Sequence, residues 1–386
     1  VSAHSRLAPS SAFRWVPCPL SVALGEQFPA LTQDPSGPEG TAAHEVWLMM
    51  LNGIEPAVGD STSEGILISD EMIEGAQQFV DKVRSIAERH DAMGRVRLEE
   101  RVEMRGIHHV MFGTSDASID LLELCGEWHM IDYKFGHRAV SPFENLQLAA
   151  YFYGECERLQ LTDEQIDNAK VFFHIVQPRC FYNRPASQTW ETTGKELRKL
   201  WAKMKESALD AITHELSARP KVGPWCRDCP GRRACPTLRT NAGANIDWIN
   251  RSWPTEMPLD AAGLELKFVE AALAQLEAHA SGLREQVQHG IEAGQHCPDW
   301  AMSPQPGRGK HWLVPPEDIF ALGDCLGADL RKKQEPVTPN QAIDLLKKAV
   351  KGFDASLIEE YAKPNPGSVK LIARTDTLAH RVFGAK

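Results

Sequence analysis

Apolar positions recur with a helical period on either side of a central stretch, and with a strand period inside it. In 41–52, TAAHEVWLMMLN, Ala43, Val46, Trp47 and Met50 share one helical face. The acidic stretch from Gly59 to Asp70 breaks that pattern and predicts a loop, and 71–92 returns to an amphipathic helix. From Arg95 to Lys134 the apolar runs become short and are punctuated by Gly106, Gly113 and Gly126. RVRLEERVEM, HHVMFG, SDASIDLLEL and WHMIDYKF therefore predict a meander of strands. Residues 141–159 predict a helix, with Ser141 as N-cap ahead of Pro142. KVFFHIVQPR reads as a nearly continuous apolar strand ending at Pro178, and 191–218 as a long amphipathic helix.

The order helix, meander, helix, strand implies an α/β core: a central mixed sheet with helices on its faces. Further on, 236–258 contains Pro and Asn and predicts a linker or wrapping segment, and 260–293 predicts another long helix. The remainder is broken by SPQPGRGK and PNPGSVK and holds two short helical patterns, one opening at TPNQAIDLLKKAV. Two domains are expected: 1–240, and a smaller, mainly helical C-terminal module over 255–386.

Composition narrows the classes. The 386 residues are 24% charged and 42% hydrophobic, the balance of a soluble globular protein. No apolar run approaches the roughly 20 residues that a membrane span needs. The N-terminal VSAHSRLAPSSAFRW lacks a basic region followed by an apolar core, so a cytoplasmic protein with no membrane partner is expected. A net charge of −10 argues against coating nucleic acid non-specifically, yet a cleft needs only a local positive field to attract phosphate. Nine cysteines do not make a paired disulfide framework; a close cluster of them points to metal binding or redox chemistry.

The stretch GTSDASIDLLELCGEWHMIDYKFGH holds the strongest chemical signal. Asp116 opens one predicted strand and Asp132 lies near the end of the next, and in an antiparallel pair those ends meet. Two carboxylates there suit magnesium or manganese, with the backbone carbonyl of Tyr133 as a further oxygen. Lys134 follows Asp132 by two residues, so the two share a strand face. An ammonium beside the metal stabilises a hydroxide and the charge of a pentavalent phosphoryl transition state. His44, on the preceding helix, offers an imidazole ligand, and Gln147 and Tyr151 stand at i and i+4 on one helix face. Cys226, Cys229 and Cys235 form C-x2-C-x5-C, which has metal-ligand spacing but supplies three thiolates where a closed site needs four. Cys125, Cys156 and Cys180 lie in apolar segments and predict core positions; Cys297 and Cys325 have no partner spacing.

In chain order, G-T-x-x-H at 40–44, G-T-S-D at 113–116, I-D-Y-K-F-G at 131–136 and Q-L-A-A-Y at 147–151 resemble the RecB-like branch of the PD-(D/E)XK nuclease superfamily. Ser115 stands where that family often has a proline. The resemblance covers roughly 5–240 and implies a restriction-endonuclease-like core. It implies metal ligation by His44, Asp116 and Asp132, catalysis by Lys134, and positioning by Gln147 and Tyr151. A first-strand glutamate (Glu99, Glu100 or Glu103) is open as a further ligand. With Cys18 before the core and three cysteines after it, the chain is similar to the iron–sulfur exonucleases of the CRISPR-associated and AddB type. That likeness implies a 4Fe–4S cluster on Cys18, Cys226, Cys229 and Cys235, with zinc as the alternative.

Past residue 240 the chain is similar to a phage- and prophage-associated family of nuclease-like proteins with a comparable extension. There Arg308, Lys310, Arg331, Lys332 and Lys333 are open as DNA-backbone contacts or as a solvated face. The implied activity is a metal-dependent DNA exonuclease in phage-type recombination or processing, acting in the cytoplasm of a bacterial host. A single-strand annealing protein is an open partner, and so is an oligomer. No G-x-x-x-x-G-K-S/T occurs, so any unwinding would fall to another protein. The rival reading is a DNA-binding scaffold of the same fold, catalytically silent, with a structural iron–sulfur or zinc site.

Overall fold

The computed structural model describes residues 5–31, 37–180, 185–249 and 256–304, and then 310–312, 314–332, 335–336, 339–349, 353–354, 356–359, 361–364 and 369–373. These divide into two compact units, Val1–Leu283 and Arg284–Lys386. The division falls inside a long helix, Leu259–Glu292, rather than in the 240–255 stretch where the sequence suggests a boundary.

The first unit begins with two short helices, α1 (Ala12–Trp15) and α2 (Leu20–Gln27), followed by α3 (Gly37–Leu51) and α4 (Asp70–Arg89). Ser69 caps α4, its hydroxyl accepting from the Met72 amide at 3.2 Å. A five-stranded sheet follows, in spatial order β1 (Val96–Glu103), β2 (Phe112–Leu121), β3 (Glu127–Tyr133), β4 (Lys170–Val176) and β5 (Ser187–Thr193). Only β3 and β4 are parallel, so the chain must cross over between them. It does so through α6 (Leu146–Arg158) and α7 (Asp163–Asn168); the single turn α5 (Leu122–Cys125) joins β2 to β3. After β5 come α8 (Gly194–His214), α9 (Pro236–Ile249) and the long α10 (Leu259–Glu292).

Both faces of the sheet are covered. On one, Ala117, Ile119, Ile131 and Tyr133 pack against Trp47 of α3 and Phe79 and Val83 of α4. On the other, Trp128, Met130 and Phe173 pack against Phe152 of α6 and Trp201 of α8. Double coverage explains why β3 is buried almost throughout and does not alternate. Gly154 on α6 lets that helix lie on β1, where a Cβ would stand 2.7 Å from the Glu103 carbonyl oxygen.

The structure corrects several sequence-derived expectations. HHVMFG and SDASIDLLEL are not separate strands. One strand runs from Phe112 to Leu121, preceded by a tight turn that the Met104 amide closes on the Met111 carbonyl at 3.0 Å. Helix α6 starts at Leu146, not 141, because Asn145 accepts from the Gln147 and Leu148 amides at 3.0 and 3.1 Å; Ser141 instead accepts from the Phe143 amide. The stretch 187–193 is an edge strand, and Thr193 caps the helix after it. Much of 236–258 is helix α9 rather than a linker. Cys125 is exposed, since it ends a one-turn helix at a sheet corner, whereas Cys156 and Cys180 are buried.

Among its described residues the second unit combines short helices with short strand pairs. Short helices α11 (Pro316–Leu326), α12 (Pro339–Ala349) and α13 (Ser356–Glu359) bury Ile319, Ala342, Leu346 and Ile358 together. Among them lie two-stranded pairs: Trp300–Pro304 with Val369–Ala373, Lys310–Trp312 with Ala362–Pro364, and Arg331–Lys332 with Glu335–Pro336. Strands of two to five residues are too short to show a period-2 pattern. Arg331 pairs with Asp324 at 2.7 Å. Arg308 and Lys333 lie outside the described residues, as do the side chains of Lys310 and Lys332.

Candidate functional site

Sheet register gathers acidic groups at one end of β1, β2 and β3. Leu98 pairs with Ala117 and Glu100 with Ser115, which sets Glu99 opposite Asp116. Ala117 pairs with Ile131, and one further step of that register sets Asp116 opposite Asp132. Glu99, Asp116 and Asp132 thus form one cross-strand row. At the Asp116–Asp132 step a side chain enters the ladder: Asp116 Oδ2 accepts from the Tyr133 amide at 2.7 Å. Glu99 has φ 49°, the left-handed region that side-chain-bearing residues rarely adopt. The register is the same on both sides of it, so the outlier re-aims one residue without inserting another.

His44 reaches this row from α3. Its Nδ1 lies 3.5 Å from Glu99 Oε1 and 3.6 Å from Asp116 Oδ1. Ligand atoms of His44, Glu99 and Asp116 all lie within 4.8 Å of one another. The imidazole stands edge-on to Tyr133, with ring centroids 5.4 Å apart. Burial alone would lower the pKa of His44, but Asp116 and Glu99 outweigh it and raise it to about 9. Burial raises the pKa of Asp116, against the pull of His44 and Lys134. Burial likewise pushes Asp132 up to about 6, opposed by Lys134.

Lys134 and α6 complete the cluster. Lys134 Nζ is 2.9 Å from Asp132 Oδ2 and 3.3 Å from Gln147 Oε1, and Gln147 Nε2 donates to Asp132 Oδ1 at 2.8 Å. Burial works against the lysine charge, but Asp132 and Asp116 outweigh it and raise the pKa. Asp132 Oδ2 is buried and, among the described residues, meets the Lys134 ammonium at 2.9 Å with no further hydrogen-bond partner. A buried carboxylate oxygen with a free lone pair is what a cation site leaves open. Burial, then the Asp116 and Asp132 carboxylates, push the Tyr151 phenol above its usual range, so it remains a protonated donor beside Gln147. Gly113 makes room for it: a Cβ there would sit 3.0 Å from the Tyr151 hydroxyl.

The structure therefore brings His44, Asp116, Asp132, Lys134, Gln147 and Tyr151 together and selects Glu99 over Glu100 and Glu103 as the first-strand partner. Tyr133 joins through its amide, while its ring packs on the α4 face with Phe79, centroids 5.5 Å apart. Sequence reasoning did not find Gln177. That side chain, fully buried, accepts from the Val140 amide at 3.0 Å and donates to the Gly136 and Arg138 carbonyls at 2.6 Å each. It holds the loop that carries the chain from Lys134 to α6. Arg179 was missed as well: it pairs with Glu39 at 2.7 Å and Glu71 at 2.8 Å and lies over Phe135, joining α3 and α4 behind the site. The one available signal was a pair of polar residues, Gln177 and Arg179, around the proline that ends an apolar strand.

A cavity of about 980 Å³ opens beside Lys134 and Gln147. Lys134, Arg138, Lys203, Arg219 and Lys221 line it, against Glu144 and Glu206. Its far wall leads to the cysteines. Cys18, Cys226, Cys229 and Cys235 are all reduced and border one small, separate cavity. Cys18, Cys226 and Cys235 accept from the Lys221, Gly223 and Leu238 amides at 3.3, 3.4 and 3.4 Å, and Cys229 accepts from Gly231. Among the described residues their sulfurs do not form a group within 4.8 Å of one another; they ring a space. Burial raises the Cys18, Cys226 and Cys229 thiols, and the buried Arg14 guanidinium opposes this at Cys18 and Cys229. Arg138, from the loop after Lys134, pairs with Asp228 between two of these cysteines.

Among the described residues no helix is long and apolar enough to cross a membrane. Over residues 4–378 the chain matches the model of a family described as a protein of unknown function, DUF2800, and it belongs to that family.

Proposed function

We propose that this DUF2800 chain is a metal-dependent deoxyribonuclease, acting as an exonuclease on a PD-(D/E)XK, restriction-endonuclease-like core. The observation that carries the reading is the row Glu99, Asp116, Asp132 across three neighbouring strands, with Lys134 beside it at the mouth of a cation-lined cavity. Three carboxylates and one imidazole suit magnesium or manganese, the imidazole favouring manganese. Asp132 Oδ2, buried without a hydrogen bond, fits such an ion. His44, Glu99 and Asp116 would hold it, with Asp132 and the Tyr133 carbonyl as further oxygens. When bound, the ion supplies Lewis-acid polarisation of the phosphoryl group and a hydroxide at neutral pH.

Lys134 places a fixed ammonium where negative charge grows on the phosphoryl oxygens. Gln147 holds both Lys134 and Asp132 in place, so neither reorganises during the reaction. Arg138, Lys203, Arg219 and Lys221 draw the phosphate backbone into the cavity. Local cations thereby reconcile a polyanionic substrate with a net charge of −10.

Cys18, Cys226, Cys229 and Cys235, which border one small cavity, would hold a 4Fe–4S cluster, with zinc as the alternative. Amide donors to the sulfurs and the nearby Arg14 suit an anionic cluster. Its role here is to tie residues before the core to residues after it.

The test is digestion of end-labelled, end-blocked and circular DNA, single- and double-stranded, with manganese. The wild type should shorten labelled ends and spare circles, and Asp116→Ala and Lys134→Ala should not cleave. Equal cleavage by all three proteins would place the chemistry elsewhere, and binding without cleavage by the wild type would favour the silent scaffold. Iron and sulfide analysis of anaerobically purified protein tests the cluster; zinc without sulfide would refute it.

A further inference from the structure

A second group of metal-ligating side chains lies at the opposite end of β3, on the α4 side, and the nuclease reading does not use it. His90 follows the last turn of α4 as its C-cap, Cys125 ends α5 and Glu127 opens β3. Gly126 between the last two has φ 77°, a conformation that lets the chain reverse and bring Cys125 beside Glu127. An imidazole nitrogen of His90, Cys125 Sγ and a Glu127 carboxylate oxygen all lie within 4.8 Å of one another.

The independent observation is His129, on the same strand face as Glu127. It is 6% exposed, and its Nε2 is buried without a hydrogen-bond partner, 3.5 Å from Glu127 Oε2. Its Nδ1 is 3.0 Å from His174 Nε2, and His174 Nδ1 is 2.8 Å from Thr189 Oγ1. When His174 donates to Thr189, its Nε2 accepts from His129 Nδ1–H, which leaves His129 Nε2 a bare nitrogen aimed at a carboxylate. In that tautomer two lone-pair donors face each other, an arrangement that a cation can bridge. A ligand imidazole oriented through its other nitrogen is how proteins hold metal-binding histidines.

We propose that His90, Cys125, Glu127 and His129 form a zinc site. One thiolate, two imidazoles and one carboxylate make a borderline-soft, four-donor set that suits zinc and not magnesium or calcium. Cys125, exposed at the surface, gives the ion its way in. Glu127 and Asp132 are five residues apart on one strand, about 16 Å at the usual rise, so this site does not touch the carboxylate row. Its role is to fasten the end of α4 to the turn between β2 and β3. The proposal does not rest on the nuclease reading.

The experiment uses the full chain, dialysed against micromolar buffered zinc, with zinc, iron and sulfide counted for wild type, Cys125→Ser, His90→Ala and Asp116→Ala. We expect Cys125→Ser and His90→Ala each to retain one zinc fewer than wild type, with iron and sulfide unchanged. Cobalt loaded in place of zinc should give a thiolate-to-metal charge-transfer band in wild type and Asp116→Ala that Cys125→Ser lacks. His129→Ala should weaken zinc binding at least tenfold. Equal zinc in wild type and Cys125→Ser, or a zinc lost only in Asp116→Ala, would overturn the proposal. Since Cys125 is at the surface, failed folding of the His129 variant would leave the Cys125 comparison decisive.

Discussion

At the Asp132 end of β3, three carboxylates face one imidazole and one ammonium; at the Glu127 end, a thiol and two imidazoles face one carboxylate. Without an ion the first cluster still holds cations of its own, His44 and Lys134, among the acids. In the second, His129 Nε2 faces Glu127 at 3.5 Å without a hydrogen-bond partner among the described residues. The difference separates two uses of a metal. A cluster with its own cations can load and release an ion without coming apart, which suits turnover. A cluster that is incomplete without its ion suits a resident, structural metal.

The largest expected effect that tests this contrast is Lys134→Ala, with a loss of about 10²–10³ in DNA cleavage rate and no change in zinc count. A drop in zinc would join the two ends and break the comparison. Next comes zinc-dependent stability. At zinc about 100-fold above its dissociation constant, wild type should gain about 2.7 kcal/mol against urea, and Cys125→Ser should gain none. Gln177→Ala should cost about 2 kcal/mol in the same assay, because three backbone groups lose their partner. Its cleavage should fall while its zinc is retained; wild-type stability would show that the loop holds itself. Smallest is a titration of metal-free protein by NMR. His44 should titrate near 9, and Glu99→Gln should lower it. A folded pKa raised above the unfolded value contributes stability that is full below about 6.5 and fades as pH rises through about 9. A His44 pKa unmoved by Glu99→Gln would disprove the carboxylate pairing.

Much of the sheet was legible because apolar runs and glycines mark β2, β3 and β4. The convergence of Asp116, Asp132 and Lys134 was legible because antiparallel pairing and a two-residue period follow from sequence. Other features were not. Strand β5, SQTWETT, is a polar edge strand with no apolar run to betray it. Asn145 took the cap expected at Ser141 because only the folded loop shows which oxygen meets free amides. Glu99 could not be told from Glu100 or Glu103, since the choice rests on one backbone torsion that no periodicity encodes. Gln177 looked like a strand-end residue; its three hydrogen bonds are to a loop about forty residues away in sequence.

That torsion at Glu99 has an evolutionary and practical consequence. A left-handed residue with a side chain carries a conformational cost of about 1–3 kcal/mol, which glycine would largely relieve. A screen of this protein for heat resistance alone should therefore favour Glu99→Gly, and the hardier survivors would be those that had discarded the carboxylate.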